Sequence, residues 1–191
     1  LEKDYGFRFT ENGTPAKGEA ASTISVTFQY REAKKVKEFV IAIDTSASCK
    51  GSVVQSFLKK TYSILKSTEH FFQKVNVHII QCDNEVQSDT KITCDEDFEE
   101  FLKNGKLRGF GGTDFRPAFD YVDSLCEKGE FDNLKGLIYF TDGFGIYPER
   151  MPGYNSIFVF LDEDNTRPQV PVWAIKVVLE PEQLEQESVS K

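Results

Sequence analysis

The feature that most constrains this chain is residues 36–43, VKEFVIAI, an apolar run rich in β-branched side chains that ends at Asp44. A run without polar alternation predicts a strand buried on both faces, and such strands belong to parallel sheets covered by helices. Apolar side chains at helical spacing follow the run, at Val54, Phe57, Leu58, Ile64, Leu65 and Phe72. The core of the chain therefore begins with a strand followed by a helix.

Strands and helices continue to alternate along the rest of the chain. Further strands are predicted at residues 75–83, 85–93, 134–141, 155–163 and 170–180, and helices at 95–103 and 114–127. The strand at 85–93 is more polar than the others, which places it near an edge of the sheet. This alternation predicts an α/β fold with a mostly parallel sheet.

We interpret the chain as one domain with a flanking segment at each end. With 191 residues, of which 39% are hydrophobic, it can bury one sizeable core. Residues 1–29 are interpreted as an arm or linker with an edge strand at 23–30, residues 30–180 as the domain, and residues 181–191 as a polar tail. Because the chain begins with Leu-Glu rather than Met, we expect it to be a fragment of a longer protein.

The charge and the cysteine content of the chain indicate which binding partners and which cellular compartment to expect. The net charge of −8 argues against nucleic acid or an anionic membrane as the main partner. The sequence shows neither a long apolar span nor a signal peptide. Four cysteines without a CxxC pair indicate reduced thiols in a cytoplasmic protein rather than a zinc site. Cys49 is interpreted as an inert buried thiol, although a helix N-terminus beside it would favour a lowered pKa.

Oxygen-bearing side chains follow three of the predicted elements. They are Asp44, Ser46 and Ser48 after the first buried strand, Thr113 and Asp114 after a glycine-rich loop, and Thr141 and Asp142 at the end of the strand at 134–141. Ligands of α/β sheets bind beyond the carboxyl ends of the strands, where these loops would meet. Hydroxyls and carboxylates suit Mg²⁺, Mn²⁺ or Ca²⁺ better than zinc or copper. Neutral hydroxyl ligands also leave such an ion in need of an anionic oxygen, such as a partner's Asp or Glu.

Each of these motifs has a simpler interpretation when it is taken alone. Asp-x-Ser-x-Ser is common in turns that cap helices. The loop 109–112, Gly-Phe-Gly-Gly, would suit a phosphate, but it lacks the Gly-Lys-Ser ending of a P-loop. The three motifs together favour a metal site.

Three blocks of the sequence, EFVIAIDTSASC, GFGGTDFRPAFDYV and LIYFTDGFGIYP, resemble a von Willebrand factor A (VWA) domain with a metal-ion-dependent adhesion site. More narrowly, they resemble the bacterial VWA-like domain that follows a metallopeptidase-like domain, over residues 30–180. The resemblance implies a Rossmann-like sheet, mostly parallel with one antiparallel edge strand and with helices on both faces. It implies metal ligands at Asp44, Ser46, Ser48, Thr113 and Asp142, with Asp114 as an additional candidate. Ala47 stands where the family usually has glycine.

The resemblance further implies a non-enzymatic domain that binds a protein partner through the ion, as an adaptor beside a MoxR-type AAA+ ATPase. The chain lacks the His-Glu-x-x-His motif of a metallopeptidase. One alternative is a VWA scaffold without a bound metal. The other is a Mg²⁺-dependent hydrolase or phosphotransferase with Asp44 as nucleophile. Against it, Ser46 stands where a second carboxylate is expected, and the motif segments 44–48, 109–114 and 141–143 contain no lysine.

Overall fold

A computed structural model describes residues 5–11, 24–30, 37–49, 51–67, 75–161 and 168–179. The chain divides into two compact units, residues 1–35 and residues 36–191. The predicted tail at 181–191 lies outside the described residues. Of the predicted arm or linker at 1–29, the structure describes residues 5–11 and 24–29.

The first unit contains an antiparallel pair of strands, β1 (Tyr5–Glu11) and β2 (Ile24–Tyr30), with Tyr5 opposite Tyr30. The strand predicted at 23–30 is present, but it pairs with residues that we interpreted as an irregular arm. The signal for β1 is the alternation of aromatic residues in YGFRFTE, which a strand of period two would explain. A pairing partner so far along the chain is not visible in either segment alone.

The second unit contains one six-stranded sheet. Its strands are β3 (Lys37–Asp44), β4 (Val75–Cys82), β5 (Val86–Ile92), β6 (Gly136–Phe140), β7 (Asn155–Leu161) and β8 (Ile175–Leu179), in the spatial order β5-β4-β3-β6-β7-β8. All neighbours are parallel except β5, which runs antiparallel to β4 at the edge. The predicted fold class is confirmed.

Helices cover both faces of this sheet: α1 (Gly51–Ser67), α2 (Asp95–Asn104) and α3 (Arg116–Glu127). Val40 and Ala42 of β3 belong to the buried cluster that contains α3. Ile41 and Ile43 belong to the cluster that contains α1 and α2. The unbroken apolar run of β3 follows from this arrangement, since both sets of alternate side chains are buried. No helix in the described part of the chain is long and apolar enough to cross a membrane.

Aromatic side chains anchor the loop that leads into α3. Phe115 is fully buried, and its ring centroid lies 5.0 Å from that of Tyr139 and 5.5 Å from that of Phe158. Both partners lie on central strands, β6 and β7. The packing of Phe115 in the core therefore fixes the position of the two residues before it, Thr113 and Asp114.

The start of α2 differs by one residue from the capping box that its sequence suggests. The spacing of Thr93 and Glu96 favours Thr93 as the N-cap with Glu96 as its reciprocal acid. The helix begins at Asp95, so that Cys94 is the N-cap and Asp97 occupies the third position. The Asp97 carboxylate accepts the backbone N–H groups of Thr93 and Cys94 at 2.7 and 3.3 Å.

The last strand is shorter than predicted. The apolar run beginning at Val170 suggested a strand from residue 170, whereas β8 begins at Ile175. Pro171 has no N–H group to donate to a neighbouring strand. Its carbonyl instead accepts the N–H of Ala174 at 2.9 Å, which closes a turn before the strand starts.

Candidate metal centre

The carboxyl ends of β3 and β6 lie side by side in the middle of the sheet. From β3 the chain proceeds through β4 to β5 on one side, and from β6 it proceeds through β7 to β8 on the other. This reversal is a topological switch point, where α/β sheets bind ligands. Asp44 ends β3, and Asp142 follows β6 by two residues.

The first loop is organised around the buried carboxylate of Asp44. One oxygen, Oδ1, accepts the backbone N–H of Ser46 at 2.8 Å, and Oδ2 accepts the hydroxyl of Thr141 at 2.6 Å. The hydroxyls of Ser46 and Ser48 lie 3.1 Å apart, and Ser48 is exposed. The two serine oxygens are therefore adjacent, one beside the carboxylate and one at the surface.

Burial raises the pKa of Asp44, and the negative charge of Asp142 adds to that effect. The hydrogen bonds from Thr141 and Ser46 act in the opposite direction but do not cancel it. Two carboxylates in a partly desolvated place repel each other, and a cation between them removes that cost. The electrostatics of the site thus favour a bound cation.

The third loop brings Asp142 to the same place. Its Oδ1 accepts the N–H of Phe144 at 3.2 Å, and its side chain is half-buried. Carboxylate oxygens of Asp44 and Asp142 and the Sγ atom of Cys49 all lie within 4.8 Å of one another. In the part of the chain that the structure describes, these three residues form the one group of this kind that a metal ion would suit.

The second loop, residues 109–114, contacts both of the other loops. It binds the first loop through two backbone hydrogen bonds, Ala47 N–H to Gly111 O at 3.2 Å and Phe110 N–H to Thr45 O at 2.9 Å. It meets the third loop where Asp114 forms an isolated parallel bridge with Ile146. Thr113 is half-buried immediately before this bridge.

Asp83, at the end of β4, holds the second loop and was not assigned a role by the sequence analysis. Its buried carboxylate accepts the N–H groups of Gly111 and Glu85 at 2.9 and 3.1 Å and the side-chain amide of Gln87 at 2.9 Å. Burial alone would raise the pKa of Asp83, but these hydrogen bonds lower it overall. The available signal was its position, because it follows β4 just as Asp44 ends β3.

Ala47 fits its position without backbone strain. Among the described residues, Phe110 is the single non-glycine residue with a positive φ, at 86°. Ala47 is exposed and has an ordinary backbone conformation. Alanine therefore fits this position of the first loop without strain.

Asp114 is engaged with a cation of its own. Arg116 Nη2 lies 2.6 Å from Oδ2 of Asp114, and Arg116 Nε lies 2.9 Å from Oδ1. This fork geometry lowers the pKa of Asp114. The additional candidate ligand of the sequence analysis is thus occupied by an ion pair.

Cys49 lies inside the candidate site, beside Asp44 and Asp142. The sequence pattern had suggested an inert buried thiol. Burial, with the charges of Asp44 and Asp142, raises its pKa to about 12, so the lowering that a helix N-terminus would favour is not found. Its sulfur lies within 4.8 Å of carboxylate oxygens of Asp44 and Asp142. Cys49 therefore faces polar groups rather than the apolar core.

The donor atoms present fit a divalent cation. Two carboxylates and two adjacent hydroxyls converge, with Thr113 in the adjoining loop. Oxygen donors of this kind are those that hard divalent ions prefer. The structure brings Asp44, Ser46, Ser48 and Asp142 together. Their roles as metal ligands, and that of Thr113, stay predictions.

A Rossmann-like sheet with three loops of this composition at its switch point defines a VWA-type domain. The chain belongs to the VWA-like domain (DUF2201) family, whose profile matches residues 39–180. No curated protein sequence matches the chain.

Solved structures with a similar fold include a matrix protein and a membrane protein. Proximal thread matrix protein 1 from the mussel byssus, with a zinc-occupied MIDAS motif, has a TM-score of 0.57 and 14% identity, covering 79% of this chain and 45% of that chain. An aerotolerance-related membrane protein from Bacteroides fragilis has a TM-score of 0.50 and 12% identity, covering 80% and 96%. At these identities the likeness shows the fold. The present chain spans less than half of the mussel chain.

Proposed function

We propose that this domain binds a partner protein through a divalent ion held by Asp44, Ser46, Ser48, Thr113 and Asp142. The observation that carries the proposal is the meeting of both carboxylates and the paired serine hydroxyls at the switch point of the sheet. Mg²⁺ is the proposed ion, with Mn²⁺ or Ca²⁺ as substitutes of the same hard class. An Asp or Glu side chain of the partner completes the coordination.

A rim of exposed apolar side chains supports a protein as the partner. Phe110 is 66% exposed, Phe144 63% and Ile146 52%. Phe110 is bonded through its backbone to the first loop, and Phe144 follows Asp142 by two residues. Exposed aromatic side chains around a polar centre are typical of protein interfaces.

The backbone of Phe110 adds to this support. Its φ of 86° is unusual for a bulky residue, and such strain is often found at functional sites. Here the conformation holds a large aromatic side chain in solvent beside the candidate ligands. A partner surface that buries the side chain of Phe110 would explain why the loop carries phenylalanine at this position.

The cellular setting is proposed from family resemblance. The three sequence blocks resemble the bacterial VWA-like domain that follows a metallopeptidase-like domain, and domains of that type act beside MoxR-type AAA+ ATPases. We place this domain in the bacterial cytoplasm as an adaptor for such an ATPase. The acidic net charge of −8 is consistent with a protein partner rather than nucleic acid.

A non-enzymatic role fits the position of Asp44. A nucleophilic carboxylate must reach a phosphoryl or acyl group, whereas Asp44 is fully buried and both of its oxygens accept hydrogen bonds. Ser46 occupies the position of a second acid-base carboxylate, and the motif segments 44–48, 109–114 and 141–143 contain no lysine. The residues of the site support binding rather than turnover.

Calorimetric titration with Mg²⁺ and Mn²⁺ tests the metal. Asp44→Asn keeps the size of the side chain but removes its charge, and it should reduce Mg²⁺ affinity at least about tenfold. Asp120→Asn, on the exposed face of α3, is the matched control and should bind as the wild type does. Circular dichroism checks that both variants fold. Equal Mg²⁺ affinity in the two variants would overturn the assignment of Asp44.

Affinity capture from a bacterial extract tests the partner. The immobilised domain should retain a protein in Mg²⁺ and release it in EDTA, and Asp44→Asn should not retain it. Retention that survives both EDTA and this substitution would show that the ion plays no part in binding. Absence of any Mg²⁺ binding by the wild type would instead identify the domain as a scaffold without metal.

A further inference from the structure

We propose that Cys49 is a further ligand in the same site and that the site consequently binds thiophilic divalent ions, such as Zn²⁺, more tightly than Mg²⁺. This proposal rests on the proposed function in one respect, namely that the three loops bind a metal ion. It goes beyond the oxygen ligands of the motif, because a sulfur ligand changes which ion the site selects.

The geometry of the three closest donor atoms carries the inference. Sγ of Cys49 lies within 4.8 Å of carboxylate oxygens of both Asp44 and Asp142. In a tetrahedral zinc site, with Zn–O distances near 2.1 Å and a Zn–S distance near 2.3 Å, neighbouring donor atoms are separated by about 3.6 Å. The three donor atoms therefore need to approach one another by only roughly 1 Å to coordinate a zinc ion. Cys49 and Asp142 lie on loops and are half-buried, so their side chains have room to adjust.

The backbone of the first loop directs the thiol inward. The N–H of Cys49 donates to the carbonyl of Ser46 at 3.1 Å, which closes a tight turn before α1. The turn leaves the sulfur within 4.8 Å of carboxylate oxygens of Asp44 and Asp142. A thiol beside two carboxylates is placed as a metal ligand would be.

Cys82 shows the contrast. It ends β4 and is fully buried in the apolar cluster with α3, and its weak contacts are to the backbone carbonyls of Asp83 and Asp114. It has the surroundings of a structural core thiol. Cys49 differs in facing two side-chain carboxylates at the switch point.

The chemistry of coordination follows from the ligand type. On binding, the Sγ–H bond of Cys49 breaks, a sulfur–metal bond forms, and the proton passes to the buffer. Thiolate ligands favour Zn²⁺, Co²⁺ and similar ions over Mg²⁺, which prefers oxygen. A tetrahedral Zn²⁺ ion takes fewer ligands than Mg²⁺, so Asp44, Asp142 and Cys49 would bind it without the serine and threonine hydroxyls and leave a fourth position open. A partner carboxylate would occupy it, as in the proposed function.

Co²⁺ titration of the metal-free wild type under reducing conditions tests the proposal. Sulfur ligation produces a charge-transfer band in the near ultraviolet, which oxygen ligands alone do not. Cys49→Ser should lack the band and lose Zn²⁺ affinity roughly tenfold or more, whereas its Mg²⁺ affinity should change little. Cys94→Ser, at the N-cap of α2, is the matched control and should retain the band.

The outcomes separate this proposal from the one on which it rests. A wild type that binds Mg²⁺ and Co²⁺ without the sulfur band would overturn the role of Cys49 and leave the metal-dependent function standing. Persistence of the band in Cys49→Ser would assign it to another cysteine and also overturn the proposal. Failure of the wild type to bind either ion would overturn both. Because the band is first read in the wild type, the test does not depend on the folding of a variant.

Discussion

At the scale of single residues, the site depends on a carboxylate that the fold has almost removed from water. Asp44 is fully buried near a second carboxylate, a combination that destabilises the ionised state. The hydroxyl of Thr141 and the backbone N–H of Ser46 compensate in part. Thr141 therefore serves as a positioning residue for the first loop, although it directly follows β6.

This role of Thr141 leads to a prediction. Thr141→Val keeps the shape of the side chain but removes the donor to Asp44, and it should lower the free energy of unfolding by about 1–3 kcal/mol. Urea unfolding monitored by circular dichroism measures the loss. Thr141→Ser retains the hydroxyl and should keep most of the stability. A larger loss in Thr141→Ser than in Thr141→Val would mean that the methyl group, not the hydrogen bond, matters.

At the scale of elements, the glycine-rich loop is shaped by the end of β4. Asp83 binds the loop through the N–H of Gly111, and the loop in turn binds the first loop through Phe110 and Ala47. A side chain at Gly111 would come within 2.8 Å of carboxylate Oδ2 of Asp83. Since that carboxylate is buried and holds three hydrogen bonds, it has little freedom to move away.

Two neighbouring glycines allow a matched test. Gly111→Ala should destabilise the domain by about 1–3 kcal/mol through this overlap and should weaken Mg²⁺ binding by displacing Thr113. Gly112→Ala should be close to wild type, because its side chain would meet no atom within 4 Å. Thermal unfolding and calorimetry measure the two effects. The interpretation is wrong if the two alanine variants behave alike.

At the scale of the whole second unit, a buried ion-pair network joins β4, β5 and the segment after α3. The His78 ring lies 2.8 Å from Oδ2 of Asp89 and 3.3 Å from Oε1 of Glu130, and its side chain is 5% exposed. Tyr121 donates to Asp89, and Lys91 pairs with Glu130. Burial alone would lower the pKa of His78, but Asp89 and then Glu130 raise it overall.

The raised pKa of His78 predicts a pH dependence of stability. The charged form binds its partners in the folded state, so its contribution is fully present below the unfolded pKa of about 6.5. That contribution is lost as the pH rises through the higher folded pKa. The free energy of unfolding should therefore decrease above about pH 6.5.

Urea unfolding at a series of pH values measures this decrease. His78→Gln should remove the dependence in that range, and Asp89→Asn should reduce it, because Asp89 is the nearer of the two acids. An unchanged slope in His78→Gln would assign the titration to another group.

Much of the fold and part of the site follow from local patterns. The apolar run before Asp44 predicted a doubly buried strand because both sets of its alternate side chains had to lie in a core. The alternation of strands and helices then predicted the α/β class, and parallel strands place their polar ends at one edge. Asp44, Ser46, Ser48 and Asp142 were identified in this way.

What the sequence by itself determined is therefore the class of fold and the residue types at its switch point, since both depend on short-range periodicity. The tertiary structure decided the rest, because pairing and side-chain approach depend on residues far apart in the chain. It paired residues 5–11 with β2 and fixed the glycine-rich loop on Asp83. It also placed Cys49 near Asp142, which lies 93 residues later in the chain. A tight turn before α1 positions Cys49, and no local pattern in the sequence encodes its approach to the loop that carries Asp142.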